Sequence, residues 1–189
     1  GELLAQTDEL GRWTEYVYDA LNRQTHTILP AADATGTTID NSDGTRFSTT
    51  GTWTTDGSHI YAAGSPGSPD ATATWEFTGL DSDKFYEVFI TWTEDETNNA
   101  SDAPLTIYDG TTGGGTALET IDVDQQVAPE GSKLIGSSWQ RLGTYELSGS
   151  TLSVKLTNDA DGRVVADSVR ILEHSFTQSV HGSDGRLIE

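Results

Sequence analysis

The sequence predicts an all-β chain: an antiparallel β-sandwich or jelly roll of about eight strands, with further strand-forming segments at both ends. Three observations carry this prediction. Apolar and polar residues alternate with period two through most of the chain. Clusters of Gly, Asp, Ser and Pro separate the alternating runs, as turns do. Thr and aromatic residues are frequent in those runs, and no segment shows the i, i+3, i+4, i+7 stripe of an amphipathic helix.

The first segment, residues 1–30, holds a strand candidate around Trp13, Tyr16, Val17 and Tyr18, a turn, and a second strand reaching Ile28 and Leu29. Small polar residues from Ala31 to Thr38 read as a linker. Residues 39–173 then carry the sandwich. From Ala71 to Phe77 every odd position is apolar, with Trp75 at the centre. Tyr86, Val88, Ile90 and Trp92 share a face, as do Leu105 and Ile107, Ile121 and Val123, and Leu152, Val154 and Leu156. The final strand puts Val165, Asp167, Val169 and Ile171 on one side by the same parity. Residues 174–189 return to the style of the first segment.

Thirty Asp and Glu against ten Lys and Arg leave a formal charge of −20, which argues against a nucleic-acid partner. Cys is absent, so disulfides, thiolate metal sites and thiol catalysis are excluded. No apolar run approaches the ~20 residues of a spanning helix, so membrane insertion is not expected. The start, Gly1-Glu2-Leu3-Leu4, has neither an initiator Met nor an export signal and reads as an internal piece of a longer chain.

Two resemblances follow from the residues. Asp8-Glu9-Leu10-Gly11-Arg12 followed by Tyr16-Val17-Tyr18-Asp19-Ala20-Leu21-Asn22-Arg23 resembles the YD repeat of RHS-type bacterial surface and toxin-shell proteins, and Ser183-Asp184-Gly185-Arg186-Leu187 resembles the opening of another such repeat. Residues 39–173 resemble the golvesin and xanthan-lyase C-terminal-like domain. The matching pieces are Ile39-Asp40-Asn41-Ser42, Gly51-Thr52-Trp53, Ala71 to Trp75, Ala103-Pro104-Leu105, Gln125-Gln126, Trp139 to Tyr145, and Val165 to Val169. The second resemblance implies a non-catalytic β-jelly-roll accessory module. Together they imply an extracellular structural or adhesive unit at a bacterial cell surface, with a carbohydrate-binding module accessory to a secreted polysaccharide-degrading enzyme as the alternative. The implied partners are neighbouring repeats or other copies, paired strand to strand, or a polysaccharide.

No catalytic constellation stands out. The four histidines sit in no motif, and Gly136-Ser137-Ser138-Trp139 lacks the final Gly of a nucleophile elbow. Trp53, Tyr61 and Trp139 lie near strand edges or turns and are candidates for stacking a sugar ring, whereas Trp75 and Trp92 fall on apolar strand faces and read as core. Asp167, inward by parity, is a candidate ligand, with Asp40, for a structural calcium; a structural Asp held by backbone N–H groups, an Arg or a hydroxyl is the alternative. No other cofactor is expected. Glu94-Asp95-Glu96 reads as a solvated hairpin tip, and Asn99-Ala100-Ser101 is a formal glycosylation sequon. Because a lone hairpin is marginal in water, the terminal strands need cover. The expectation is that they order by pairing with another repeat or copy, with Tyr16, Val17, Tyr18 and Ile188 as the self-association candidates; docking on their own sandwich is the alternative.

Overall fold

The computed structural model describes residues 5–7, 13–29, 36–82, 84–130, 138–178, 180–181 and 187–188. Among them lie eighteen strands and no helix: β1 Ala5–Thr7, β2 Trp13–Tyr18, β3 Gln24–Ile28, β4 Thr37–Asp40, β5 Phe47–Thr50, β6 Thr54–Asp56, β7 His59–Ala62, β8 Thr72–Thr78, β9 Phe85–Ile90, β10 Ala103–Asp109, β11 Thr116–Val123, β12 Gln140–Glu146, β13 Thr151–Thr157, β14 Val164–Ala166, β15 Ser168–His174, β16 Phe176–Gln178, β17 Val180–His181 and β18 Leu187–Ile188.

Two of the sheets make the predicted sandwich. One is five-stranded in the order β11-β10-β13-β8-β5; the other is four-stranded, β12-β9-β15-β4. Every pairing within them is antiparallel. Alternation explains the packing. Ala73, Trp75 and Phe77 of β8 meet Leu105 and Ile107 of β10 and Val154 and Leu156 of β13, and Val88, Ile90, Val169 and Ile171 close the core from the other sheet. Trp75 is fully buried and donates its indole N–H to the Asp167 carbonyl at 3.2 Å, so its one polar atom is satisfied. A small sheet, β14-β7-β6, adds Ala62, Val164, Val165 and Ala166 to the same core.

The remaining four-stranded sheet runs β1-β2-β3-β16. Phe176 faces Ile28 across β3 and β16, so the chain leaves for the sandwich and returns from it side by side. This sheet lies on the outer face of the β12-β9-β15-β4 sheet. Glu15 of β2 pairs with Arg141 of β12, the His26 ring meets Phe85 edge-on at 5.9 Å, and Leu29 offers its carbonyl to His174. In this chain the terminal hairpin is therefore covered by its own sandwich. That burial explains β9, whose six residues are all buried: alternate side chains face the core and the docked sheet. Gly36 marks the passage into the sandwich. Its φ is +51°, and a Cβ there would stand 2.2 Å from the Ile171 carbonyl oxygen, so only glycine fits.

The predicted linker ends sooner than expected, because β4 begins at Thr37. The Asp8–Arg12 and Ser183–Arg186 motifs lie outside the described residues.

Candidate functional site

The three candidate aromatics occupy two different places. Trp53, just before β6, and Tyr61, in β7, both pack partly buried against the main core. The Trp53 indole N–H donates to the Thr50 carbonyl at 2.9 Å. One face of Tyr61 carries the Arg163 guanidinium, 4.6 Å from the ring centre. Trp139 instead packs on Phe89 and Leu172, on the outer side of the β12-β9-β15-β4 sheet, with Arg170 over its ring at 4.8 Å. No platform is formed by all three together. Each is half-buried, and two already hold a cation on one face.

Asp40 and Asp167 do come together. Register sets Ser168 opposite Asp40 across β4 and β15, and the Ser168 hydroxyl lies 2.8 Å from Asp40 Oδ2 and 3.3 Å from Asp167 Oδ1. Parity does not carry through Asp167, because β14 ends at Ala166 and β15, in a different sheet, begins at Ser168; the residue is half-buried. Burial, and then the charge of Asp40, hold the Asp167 carboxyl above its usual range. Asp40 feels burial too, but hydrogen bonds from Ser42 and Ser168 outweigh it and hold that carboxyl low. Among the described residues no group of three or more His, Asp and Glu side chains is arranged to hold a metal ion. A cation here would need backbone carbonyls or water to complete its shell.

Other polar clusters close loops. Asp95 is more than a solvated tip: it accepts the backbone N–H groups of Thr97 and Asn98 and the Arg163 guanidinium at 2.7 Å. Asn99 is buried, and its amide donates to the Thr93 and Gln125 carbonyls, so the sequon asparagine is an internal clamp. Fully buried Gln125 mimics a strand neighbour for β14, accepting from the Val165 N–H at 2.7 Å and donating to the Val165 carbonyl at 2.9 Å. Asn158 is likewise buried and bridges residues 63, 70 and 71.

Sequence reasoning missed the buried ionic network under the docked sheet. Glu87 is 1% exposed, held by Arg141 Nε at 2.5 Å and His174 Nε2 at 3.0 Å. His174 Nδ1 lies 2.6 Å from the Leu29 carbonyl. Both ring nitrogens thus face acceptors. Burial pushes the Glu87 carboxyl up, but His174 and Arg141 overcome it and hold it below its usual range. The available signal was the nearly continuous apolar run Phe85–Ile90, which marks a strand covered on both faces.

A cleft of about 210 Å³ is lined by residues of β11 and β12, the edge strands of the two sheets. Trp92, Ile121 and Leu142 contribute apolar wall, and Asp122, Asp124, Glu130 and Gln140 contribute polar groups.

Comparison with known proteins bears on the sandwich. The family model described as the Golvesin C-terminal domain matches residues 37–173. A xanthan lyase from Paenibacillus shares the fold at 27% identity and TM-score 0.51, over 78% of this chain and 13% of that one. A family-two carbohydrate esterase from Cellvibrio japonicus aligns at 14% identity and TM-score 0.42, over 79% of this chain and 37% of that one. The chain thus spans only a minor part of these proteins. No curated protein matches it.

Proposed function

The chain belongs to the Golvesin C-terminal domain family over residues 37–173, and on that footing we propose that it is a non-catalytic, polysaccharide-associated module working outside the cell. The observation that carries this reading is the likeness to a xanthan lyase, in which a unit of this fold makes up a small share of a much longer chain. An accessory module needs a rigid body and a recognition surface, but no reacting groups. In keeping with that role, the conspicuous polar residues Asp95, Asn99, Gln125 and Asn158 hold loops together. Trp53, Tyr61 and Trp139 are the aromatic candidates for sugar stacking. Electrophoresis through gels cast with soluble polysaccharides tests the reading. A retained polymer should slow the protein, Trp53→Ala or Trp139→Ala should reduce the retardation, and the polymer's chain length should stay unchanged. Free migration in every polymer removes it.

A second reading makes the unit a structural or adhesive piece of a YD-repeat surface protein that associates through Tyr16, Val17, Tyr18 and the strand to Ile188. One observation favours it. The Tyr-Asp motif builds a self-contained hairpin turn, in which Asp19 accepts from the Leu21 and Arg23 backbone N–H groups and pairs with the Arg23 guanidinium at 2.6 Å. Such a turn suits a segment meant to recur. Light scattering against concentration checks it: a mass that rises and falls back with Tyr16→Glu supports association, and a constant monomer mass rules it out.

A further inference from the structure

The cleft between β11 and β12 sets an apolar wall beside the exposed carboxylates of Asp122 and Glu130. The geometry points to a subsite here for a single neutral pyranose unit of a polysaccharide, an inference that rests on the carbohydrate reading above and gives it a place. Size is the first reason. About 210 Å³ lies below the ~300–1,000 Å³ of drug-sized pockets and suits one ring better than a chain. Chemistry is the second. Ile121 and Leu142 offer an apolar wall to the C–H face of a sugar, while Asp122 and Glu130 offer acceptors to its hydroxyl groups. β11 and β12 are each the edge strand of their sheet. Val127 is 54% exposed at the mouth, an apolar side chain placed where a ring would be covered.

Charge selects the class. The one cation in the lining, Arg141, is engaged by Glu87 and Glu15 on the docked-sheet side. Among the described residues Asp122, Asp124 and Glu130 have no cation opposite them in the cleft, and the whole chain carries −20. A uronate or pyruvylated sugar would meet like charge. A neutral sugar donates hydroxyls to the same carboxylates without that cost.

Calorimetric titration of the whole chain with neutral oligosaccharides, and with uronate oligosaccharides of equal length, tests the inference. Two variants accompany it. Asp122→Asn removes an acceptor, and Val127→Trp fills the mouth from an exposed position while leaving its backbone carbonyl on the Trp92 indole N–H. The expected result is binding of a neutral oligosaccharide that weakens at least tenfold in both variants, with unchanged melting temperatures. Neutral oligosaccharides binding equally well to the native chain and to both variants would overturn the cleft while leaving the carbohydrate reading intact. Tighter binding of uronates would overturn the charge argument. Failure of every oligosaccharide to bind the native chain would overturn both.

Discussion

Asp19 organises a turn single-handedly. Its carboxylate gathers two backbone N–H groups and a guanidinium, while Asn22 takes the left-handed conformation at φ +60° that closes the hairpin. Asp43 repeats the device, accepting from the Thr45 and Arg46 backbone N–H groups and from Arg46 Nε. Both carboxyls are held well below their usual range by these hydrogen bonds. Such local logic is legible in sequence, since an Asp three or four residues before an Arg in a turn needs no distant partner. Trp75 was legible for the same kind of reason: period-two alternation set its face. Trp75→Ala should cost about 3–5 kcal/mol in denaturant melts. Glu119→Ala removes the acceptor of the Tyr145 hydroxyl at 2.9 Å, so its cost should be about 1 kcal/mol. Equal losses at the two positions would mean the faces are misassigned. Asp167 was harder, because parity cannot reveal that a strand changes sheet at that residue. Its raised carboxyl means the fold prefers it neutral: stability gained as pH falls through the raised value is lost again as pH rises. Asp167→Asn should therefore raise the melting temperature at neutral pH, and chelator should leave the native value unchanged. A chelator-induced drop that the variant abolishes would instead establish a cation between Asp40 and Asp167.

At the scale of elements, β9 is the hinge of the architecture. Tyr86, Val88 and Ile90 face the sandwich core, while Phe85, Glu87 and Phe89 face away from it. The sequence discloses the first set plainly. The second set announces cover without naming it, because the pairing of Glu87 with Arg141, His174 and, through Arg141, Glu15 joins residues far apart in the chain. A carboxylate at 1% exposure is tolerable only with such partners. His174→Ala should cost about 1.5–3 kcal/mol, the range for a hydrogen bond to a charged group. The pH dependence follows from the lowered Glu87 carboxyl. Its contribution is complete above the unfolded value and fades as pH falls through the lower folded one. Hydrogen exchange at the amides of β3 should therefore accelerate below about pH 4, while core amides of β8 and β13 stay protected. Uniform protection of both sets down to pH 3 would show that the network does not hold the docked sheet.

For the whole molecule, the sandwich hangs from the terminal sheet by two adjacent strands, β3 and β16, and its own first and last strands, β4 and β15, also pair. Among the described residues its main core cluster begins at Ile39 and takes none from the terminal hairpin. Deleting residues 1–30 should therefore leave a cooperatively folding sandwich with a lower melting temperature, since Phe85, Glu87 and His174 lose their cover; calorimetry of the truncated chain measures this. Complete loss of the transition would place the hairpin in the core. The hairpin docks on its own sandwich, whereas the sequence reading favours cover by another repeat or copy: local alternation shows that an apolar face needs covering but not which distant surface covers it. The same limit applies to recognition: half-buried aromatics and an edge cleft arise from tertiary packing, and no motif spells them out. The claim on which the rest depends is that this chain holds a polysaccharide without changing it. Incubating the intact chain with immobilised and soluble forms of the same neutral polysaccharides measures both halves at once. Retention on at least one immobilised polymer, with no new reducing ends and no fall in chain length of its soluble form, is the predicted result. Depolymerisation, or passage through every polymer without retention, would contradict it.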